Sequence, residues 1–185
     1  MKGLNEKEIN EEILKQDILE GKIFIYPTDT IYGIGCNALD KKAVEKIKNI
    51  KARDKDKPLS IIAPSIDWIK ENLIVPTDFD LKKYLPGAYT IILKKKNPGF
   101  LKLVSSGNSL GIRIPDCDFT KIIQKSGVPF ITTSVNLSGE PFALRLNDLK
   151  QEIKKQVDVI IKSENEDKMI GKPSTLIING KEMER

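Results

Sequence analysis

The sequence predicts an α/β fold in which helices flank a mixed β-sheet. Short apolar segments of strand length alternate along the chain with segments of helical periodicity, and Gly or Pro separates many of them. The 185 residues are 39% hydrophobic and 31% charged, which suits one globular domain with a buried core. We therefore expect a single domain over residues 1–185.

The predicted strands are short apolar runs that end at Gly, Pro or polar residues. The run "KIFIY", for example, stops at Pro27, and "SLGIRIP" alternates between apolar and other side chains. The predicted strands cover residues 22–26, 58–63, 88–94, 109–115, 128–133, 157–161 and 174–178.

Most of the predicted helices begin at a side chain that can accept a hydrogen bond from the first helical turn. Asn5 and Glu8 have the spacing of a capping box before a helix that ends at Gly21. Asp40 precedes the apolar positions of a helix that ends near Ala52. The remaining helices are predicted to start at Ser65 or Asp67, Thr77, Asp118 and Asn147.

The composition excludes several kinds of chemistry. Because the chain has no histidine, it cannot form a Ser-His-Asp triad, a Cys-His pair or a His-ligated zinc site. Its two cysteines, Cys36 and Cys117, are too few for a disulfide framework and lie far apart, so we expect a reduced, cytoplasmic setting. No apolar run approaches the roughly 20 residues of a membrane span, and the charged N-terminal stretch does not resemble an export signal.

A basic stretch, residues 41–57, covers the second predicted helix and the residues after it. It holds eight cations and three anions, so its net charge equals the +5 of the whole chain. A helix macrodipole favours cations in the last turn, and a solvated helix end is the simpler interpretation. Lys55 and Lys57, however, lie beyond the predicted helix end. A phosphate-binding site accounts for them better.

Two polar loops follow predicted strands, where α/β sheets commonly bind ligands. In "PTDTIYGIG" (27–35), two glycines let the backbone approach a ligand beside polar Thr and Asp side chains. In "TTSVNLSGEP" (132–141), five of the first seven side chains are hydroxyls or amides, which suit ligand orientation better than nucleophilic attack. Ordinary turn and capping hydrogen bonds remain an alternative for part of both loops.

Five motifs in order resemble those of the YrdC family, the threonylcarbamoyl-AMP synthases. They are "PTDTIYGIG" (27–35), "KAR" (51–53), "PGAYT" (86–90), "TSVNLSG" (133–139) and "PSTLI" (173–177). The resemblance extends over nearly the whole chain and implies a twisted mixed sheet with a basic concave active-site surface. It also implies that L-threonine, bicarbonate or CO2, and ATP give threonylcarbamoyl-adenylate and pyrophosphate. The product would serve modification of the adenosine beside the anticodon of certain tRNAs.

The resemblance also implies roles for individual residues. The positions that match the catalytic and nucleotide-binding constellation are Lys51, Arg53, Ser134 and Asn136. Further ATP contacts are expected from Lys57, Ser109 and Phe142. Contacts to threonine are expected from Thr30, Arg113, Thr132 and Ser174. ATP is expected to bind as a substrate with Mg²⁺, and no metal ion held by protein side chains is expected.

Three positions depart from the family pattern, and two other functions stay open. Phe142 replaces a small polar residue that is common beside the nucleotide. Asp54 stands where the family usually has Pro, and Ile62 stands where many members have a His that contacts threonine. A basic concave surface would also suit tRNA or double-stranded RNA, although only 6% of the residues are aromatic and no RNA-binding motif is present. A carbamoyl-transfer domain of the kind found in hydrogenase maturation factors is the other alternative. For the synthase, a downstream threonylcarbamoyl transferase is the expected partner.

Overall fold

The computed structural model describes residues 2–6, 9–52, 54 and 56–183, and within them strands alternate with helices. The strands are β1 (Lys2–Asn5), β2 (Phe24–Tyr26), β3 (Gly33–Gly35), β4 (Ser60–Ile62), β5 (Leu73–Ile74), β6 (Tyr89–Lys95), β7 (Ser109–Arg113), β8 (Phe130–Ser134), β9 (Val159–Lys162), β10 (Thr175–Ile178) and β11 (Lys181–Met183). The α-helices are α1 (Glu11–Leu19), α2 (Lys41–Ile50), α3 (Ile66–Asn72), α4 (Asp118–Ser126) and α5 (Gln151–Lys154). The predicted α/β class is confirmed.

The strands form one sheet that contains both parallel and antiparallel pairs. Its order is β1-β9-β2-β3-β8-β4-β7-β6-β10-β11, and β5 pairs with β6 beside that path. The pair β4–β7, for example, is parallel, whereas β3–β8 and β4–β8 are antiparallel. Register places Gly33 opposite Ser134, so the two predicted polar loops become neighbours at the junction of β3 and β8.

Alternate residues of the central strands point to opposite faces of the sheet, and each face has its own core. Ile25 belongs to one apolar cluster, which also receives Val44 and Ile47 of α2. Its neighbour Phe24 belongs to the other cluster, which contains Leu14 of α1 and Phe119 of α4. Helices therefore flank both faces, as predicted. None of the described helices is long and apolar enough to cross a membrane.

The first helix begins later than the capping-box pattern predicts. Asn5 ends strand β1, which pairs in parallel with β9, and Glu8 lies outside the described residues. Helix α1 is instead capped by Asn10, whose Oδ1 accepts a hydrogen bond from Ile13 N at 3.2 Å. The predicted cap at Asn5 was wrong because pairing with a distant strand took priority over a local hydrogen-bonding pattern.

Two other predicted helix starts were also wrong, at Thr77 and at Asn147. The first segment forms only a 3-10 turn over Leu81–Lys83, which Asp80 caps. Asn147 lies within a second 3-10 turn, and α5 starts later, at Gln151. At α4 the cap position is Cys117, so Asp118 is the first helical residue rather than the cap. The predicted caps at Asp40 and Ser65 are confirmed.

Candidate active site

A polar cleft of about 230 Å³ is lined by residues at or near the ends of strands β3, β4, β7 and β8. Three consecutive residues of β8, Thr132, Thr133 and Ser134, line the cleft, so both faces of this strand end contribute to it. Five chain segments contribute residues with hydroxyl groups to its lining: Thr28, Thr30, Tyr32, Ser60, Thr90, Thr132, Thr133, Ser134 and Ser174.

All four residues that the resemblance implies for threonine line this one cleft, although they come from distant parts of the sequence. Arg113 Nη1 donates a hydrogen bond to Thr30 Oγ1 at 3.2 Å. The hydroxyl of Ser174 lies 2.7 Å from that of Thr90. Both residues and Thr132 are buried, so strand positions and hydrogen bonds fix the polar groups of the cleft before any ligand binds.

Asp29 holds Arg113 in a buried ion pair. Arg113 Nη2 lies 2.5 Å from Asp29 Oδ1, and the second carboxylate oxygen of Asp29 accepts from Asp116 N at 3.1 Å. Arg113 Nε is buried without a hydrogen-bond partner in the described part of the chain. A buried guanidinium needs a partner to offset its desolvation, and the planar pair also fixes its orientation. Sequence reasoning assigned Asp29 no role in the site. The signal that could have identified it was its place next to Thr30 in the first polar loop.

Lys51, Ser134 and Asn136 also come together, in a network beside the cleft. Lys51 is only 2% exposed, and its Nζ donates to Ser134 O at 2.6 Å, to Asn136 O at 2.8 Å and to Asn136 Oδ1 at 2.9 Å. Ser134 Oγ donates to the same Oδ1 at 2.6 Å, and Asn136 Nδ2 donates to Glu140 O at 2.5 Å. The lysine therefore shapes the second polar loop, and Ser134 links this network to the cleft lining.

Lys57, Ser109 and Phe142, which were also expected to contact ATP, do not line the cleft. Lys57 is exposed, and its backbone N donates to Asp54 O at 3.1 Å. Ser109 is half-buried at the start of β7, and its carbonyl accepts from Ser105 Oγ. Phe142 is half-buried. Arg53 lies outside the described residues.

Glycine has a different role in the first polar loop from the one predicted. Residues 33–35 form strand β3 and not a loop. A Cβ at Gly35 would overlap the carbonyl oxygen of Ile131, and one at Gly33 would come within 2.9 Å of the Tyr26 ring. The two glycines therefore allow close packing of strands, although Gly33 also lines the cleft.

Sequence reasoning missed two further residues that line the cleft and one glycine that packs against one of them. Thr90 and Ser60 line the cleft, and Thr90 was already visible as the last residue of "PGAYT". Gly111 lies opposite Ser60 in the β4–β7 pair, and a Cβ there would come within 2.6 Å of Ser60 Oγ. Gly111 thus keeps room for the Ser60 hydroxyl, a requirement that only the strand register reveals.

Neither cysteine chemistry nor a protein-bound metal is evident at this site. Both cysteines are free, and burial raises the pKa of the Cys36 and Cys117 thiols, which disfavours the reactive thiolate. Among the residues that the structure describes, no group of three or more His, Cys, Asp or Glu side chains could hold a metal ion. The polar side chains that line the cleft carry a guanidinium and hydroxyl groups.

Comparison with known families and sequences gives a consistent match. The family model Sua5/YciO/YrdC, described as telomere recombination, matches residues 16–183. A Methanocaldococcus jannaschii protein provisionally named threonylcarbamoyl-AMP synthase is 45% identical over 163 residues, which are 85% of this chain and 76% of that protein. The Pyrococcus abyssi threonylcarbamoyl-AMP synthase is 30% identical over 167 residues, which are 86% of this chain and 48% of that protein.

Solved structures match the fold over almost the whole chain. The crystal structure of P. abyssi Sua5 complexed with L-threonine matches with a TM-score of 0.78 at 27% identity. The match covers 95% of this chain and 53% of the Sua5 chain. The crystal structure of E. coli YciO has the same TM-score of 0.78 at 24% identity, covers 95% of this chain and 88% of its own, and supports the fold alone. The chain thus spans about half the length of the two P. abyssi proteins.

Proposed function

Because the chain belongs to the Sua5/YciO/YrdC family, we propose that it makes threonylcarbamoyl-adenylate and pyrophosphate from L-threonine, bicarbonate or CO2, and ATP. One observation carries the proposal: the four residues expected to contact threonine line a single cleft, and Ser134 joins that cleft to the Lys51 network. The names of the relatives support the synthase activity. They support neither an RNA-binding function nor a carbamoyl-transfer function.

The cleft suits an amino acid better than a nucleotide. Its volume of about 230 Å³ is below the roughly 300–1,000 Å³ of pockets for drug-sized ligands. The guanidinium of Arg113 can bind the carboxylate of threonine, since arginine recognises planar anions through paired hydrogen bonds. Thr30, Thr132 and Ser174 surround the same space with hydroxyl groups that can bind the polar atoms of the substrate.

ATP would then bind on the Ser134 side, next to the basic stretch. The α-phosphate must face the cleft, because a carbamate oxygen formed on the threonine nitrogen attacks the α-phosphorus as the bond to the β-phosphate breaks. Lys51 fixes the loop that carries Ser134 and Asn136, while Arg53 and Lys57 would stabilise the polyphosphate. Mg²⁺ would bind with the ATP phosphates and help to neutralise roughly four negative charges.

Positioning and charge stabilisation are enough for this reaction, which needs no histidine. Bringing carbamate and α-phosphate together in a fixed orientation accounts for much of the rate in reactions of this type. We propose that the protein works in the cytoplasm and that a downstream threonylcarbamoyl transferase takes up the adenylate for tRNA modification. Direct binding of tRNA by this chain is not required for the step.

The decisive experiment measures pyrophosphate release by the purified protein. Release should require ATP, threonine and bicarbonate together, and it should fall to background when any one of the three is omitted. Mass spectrometry should identify threonylcarbamoyl-adenylate in the complete mixture. Release of pyrophosphate without threonine, or none in the complete mixture, would overturn the proposal.

A further inference from the structure

A segment between β9 and β10, residues 163–174, crosses the rim of the cleft, and we name it the cover segment. Two of its backbone groups bind the first polar loop: Ile170 N donates to Asp29 O at 3.0 Å, and Gly171 N donates to Thr30 O at 3.0 Å. Its last two residues, Pro173 and Ser174, are part of the cleft lining. The position of this segment therefore determines where one wall of the cleft stands.

One side chain ties the middle of the cover segment to two other segments. Glu166 Oε1 accepts a hydrogen bond from Tyr32 OH at 2.7 Å and another from Leu146 N at 3.0 Å. Tyr32 OH in turn accepts from Ser163 N at 3.0 Å. Tyr32 is fully buried, and burial raises the pKa of its phenol, so the hydroxyl keeps its proton and donates to the carboxylate.

The rest of the cover segment is held unevenly. Its start is anchored by Glu6, whose Oε2 accepts from Ser163 Oγ at 3.0 Å and from Glu164 N at 3.2 Å. Further along, Met169 packs against the core but the Ile170 side chain is 52% exposed. Glu166 thus provides a half-buried polar side-chain contact four residues before the first of the two backbone hydrogen bonds over the cleft, whereas the neighbouring Asp167 is exposed.

We propose that Glu166 is a positioning residue for threonine. Through Tyr32 it holds the cover segment against the first polar loop, and so it supports the Ile170 and Gly171 amides that bind the backbone of Asp29 and Thr30 at the cleft wall. The carboxylate touches no substrate itself. This inference rests on the proposed function, since it assumes that threonine occupies the cleft. Loss of the contact should weaken threonine binding and spare the ATP side, which Lys51 organises separately.

The test compares Glu166→Ala with Glu166→Gln and with Asp167→Ala. Glutamine keeps an oxygen that can accept from both Tyr32 OH and Leu146 N. Asp167 is the next acid in the same turn, but its side chain is 91% exposed and pairs with Arg145, so its variant is the matched control. Glu166→Ala should raise the threonine KM about tenfold, as expected for loss of a hydrogen bond to a charged group. The ATP KM should stay within about twofold, and the other two variants should resemble the wild type.

Amide hydrogen exchange gives a readout that needs no turnover. The Ile170 and Gly171 amides should exchange faster in Glu166→Ala than in the wild type without ligand, because their acceptors on the first polar loop are less firmly held. Unchanged exchange at both amides, or an equal rise in the KM of threonine and ATP, would overturn the positioning role. If Glu166→Ala does not fold, Tyr32→Phe removes the hydrogen bond to Glu166 together with the one from Ser163 N and keeps the buried ring, and it should give the same two results. A wild type that neither binds threonine nor releases pyrophosphate would instead defeat the proposed function.

Discussion

The cleft and the basic stretch differ in how far the protein itself fixes their charged groups. In the cleft, the Arg113 side chain is 7% exposed and paired with Asp29, so its direction is set before any ligand binds. In the basic stretch, Lys57 is exposed, and the buried Lys51 already donates to the second polar loop. A small substrate requires a rigid site for selectivity, whereas a polyphosphate with its Mg²⁺ can order flexible lysines on binding.

A second contrast concerns two buried lysines, Lys51 and Lys95, which are 2% and 4% exposed. Each holds a loop through three acceptors. Lys95 Nζ donates to the carbonyls of Pro98, Phe100 and Ser105 at 2.9–3.0 Å. Neither lysine lines the cleft, but the Lys51 loop supplies Ser134 to it. The same local chemistry thus stabilises a loop in both places and organises a candidate site in one.

The largest effect is expected from Arg113→Lys, which keeps the charge but removes the planar fork. A lysine cannot bind Asp29, Thr30 and a substrate carboxylate in the same plane. We expect kcat/KM for threonine to fall about a hundredfold, within the range for losing a hydrogen bond between charged groups, with little change in the ATP KM. Arg145→Lys is the matched control, because Arg145 is an exposed arginine that also pairs with an aspartate.

Steady-state kinetics with each substrate varied in turn would test this expectation. An equal loss for ATP and threonine, with normal stability, would mean that Arg113 does not belong to a separate threonine site. The contrast between the rigid cleft and the basic stretch would then fail. Near wild-type activity in Arg113→Lys would likewise contradict a role for the fork geometry.

A smaller effect on catalysis is expected when the two buried lysines are compared as Lys51→Met and Lys95→Met. Methionine fills similar space but leaves the carbonyl acceptors without a donor, so both variants should lose roughly 1–3 kcal/mol or more in the free energy of unfolding. Only Lys51→Met should also raise the ATP KM, by about tenfold, because it releases the loop that carries Ser134 and Asn136. Urea denaturation and pyrophosphate release would measure the two effects. If both variants had equal kinetic defects, Lys51 would have no role in ATP binding beyond its contribution to the stability of the fold.

The parts of this picture that the sequence could predict are those encoded in local patterns. Asp40 and Ser65 cap helices as expected, because the cap and the amide it binds are three residues apart. The central strands were found because each is an apolar run of adequate length. Strands β1, β3, β5 and β11 were missed, since each has only two to four residues and lacks a longer apolar run.

For the site, the resemblance selected residues that the fold then brings together, but it could not give their contacts. The acceptors of Lys51 lie more than 80 residues away along the chain, and two of them are backbone carbonyls whose position no sequence pattern shows. Asp29 and Gly111 act through partners 84 and 51 residues away, Arg113 and Ser60 respectively. Such roles follow from strand register and from the packing of loops, which a single sequence does not specify.

The smallest effect is expected from Lys57→Ala in the basic stretch. Lys57 is exposed, and exposed ionic contacts usually contribute less than about 1 kcal/mol, so the ATP KM should rise only about two- to fivefold at low salt. The difference should shrink near 0.5 M salt, where the screening length falls to about 4–5 Å. Lys41→Ala removes an equal charge at the other end of α2 and should leave the ATP KM unchanged, which separates a local phosphate contact from a general effect of net charge. The threonine KM should stay constant in both variants, because the Asp29–Arg113 pair fixes the cleft independently of the basic stretch. Equal effects of the two substitutions would mean that the stretch attracts ATP only through its overall field.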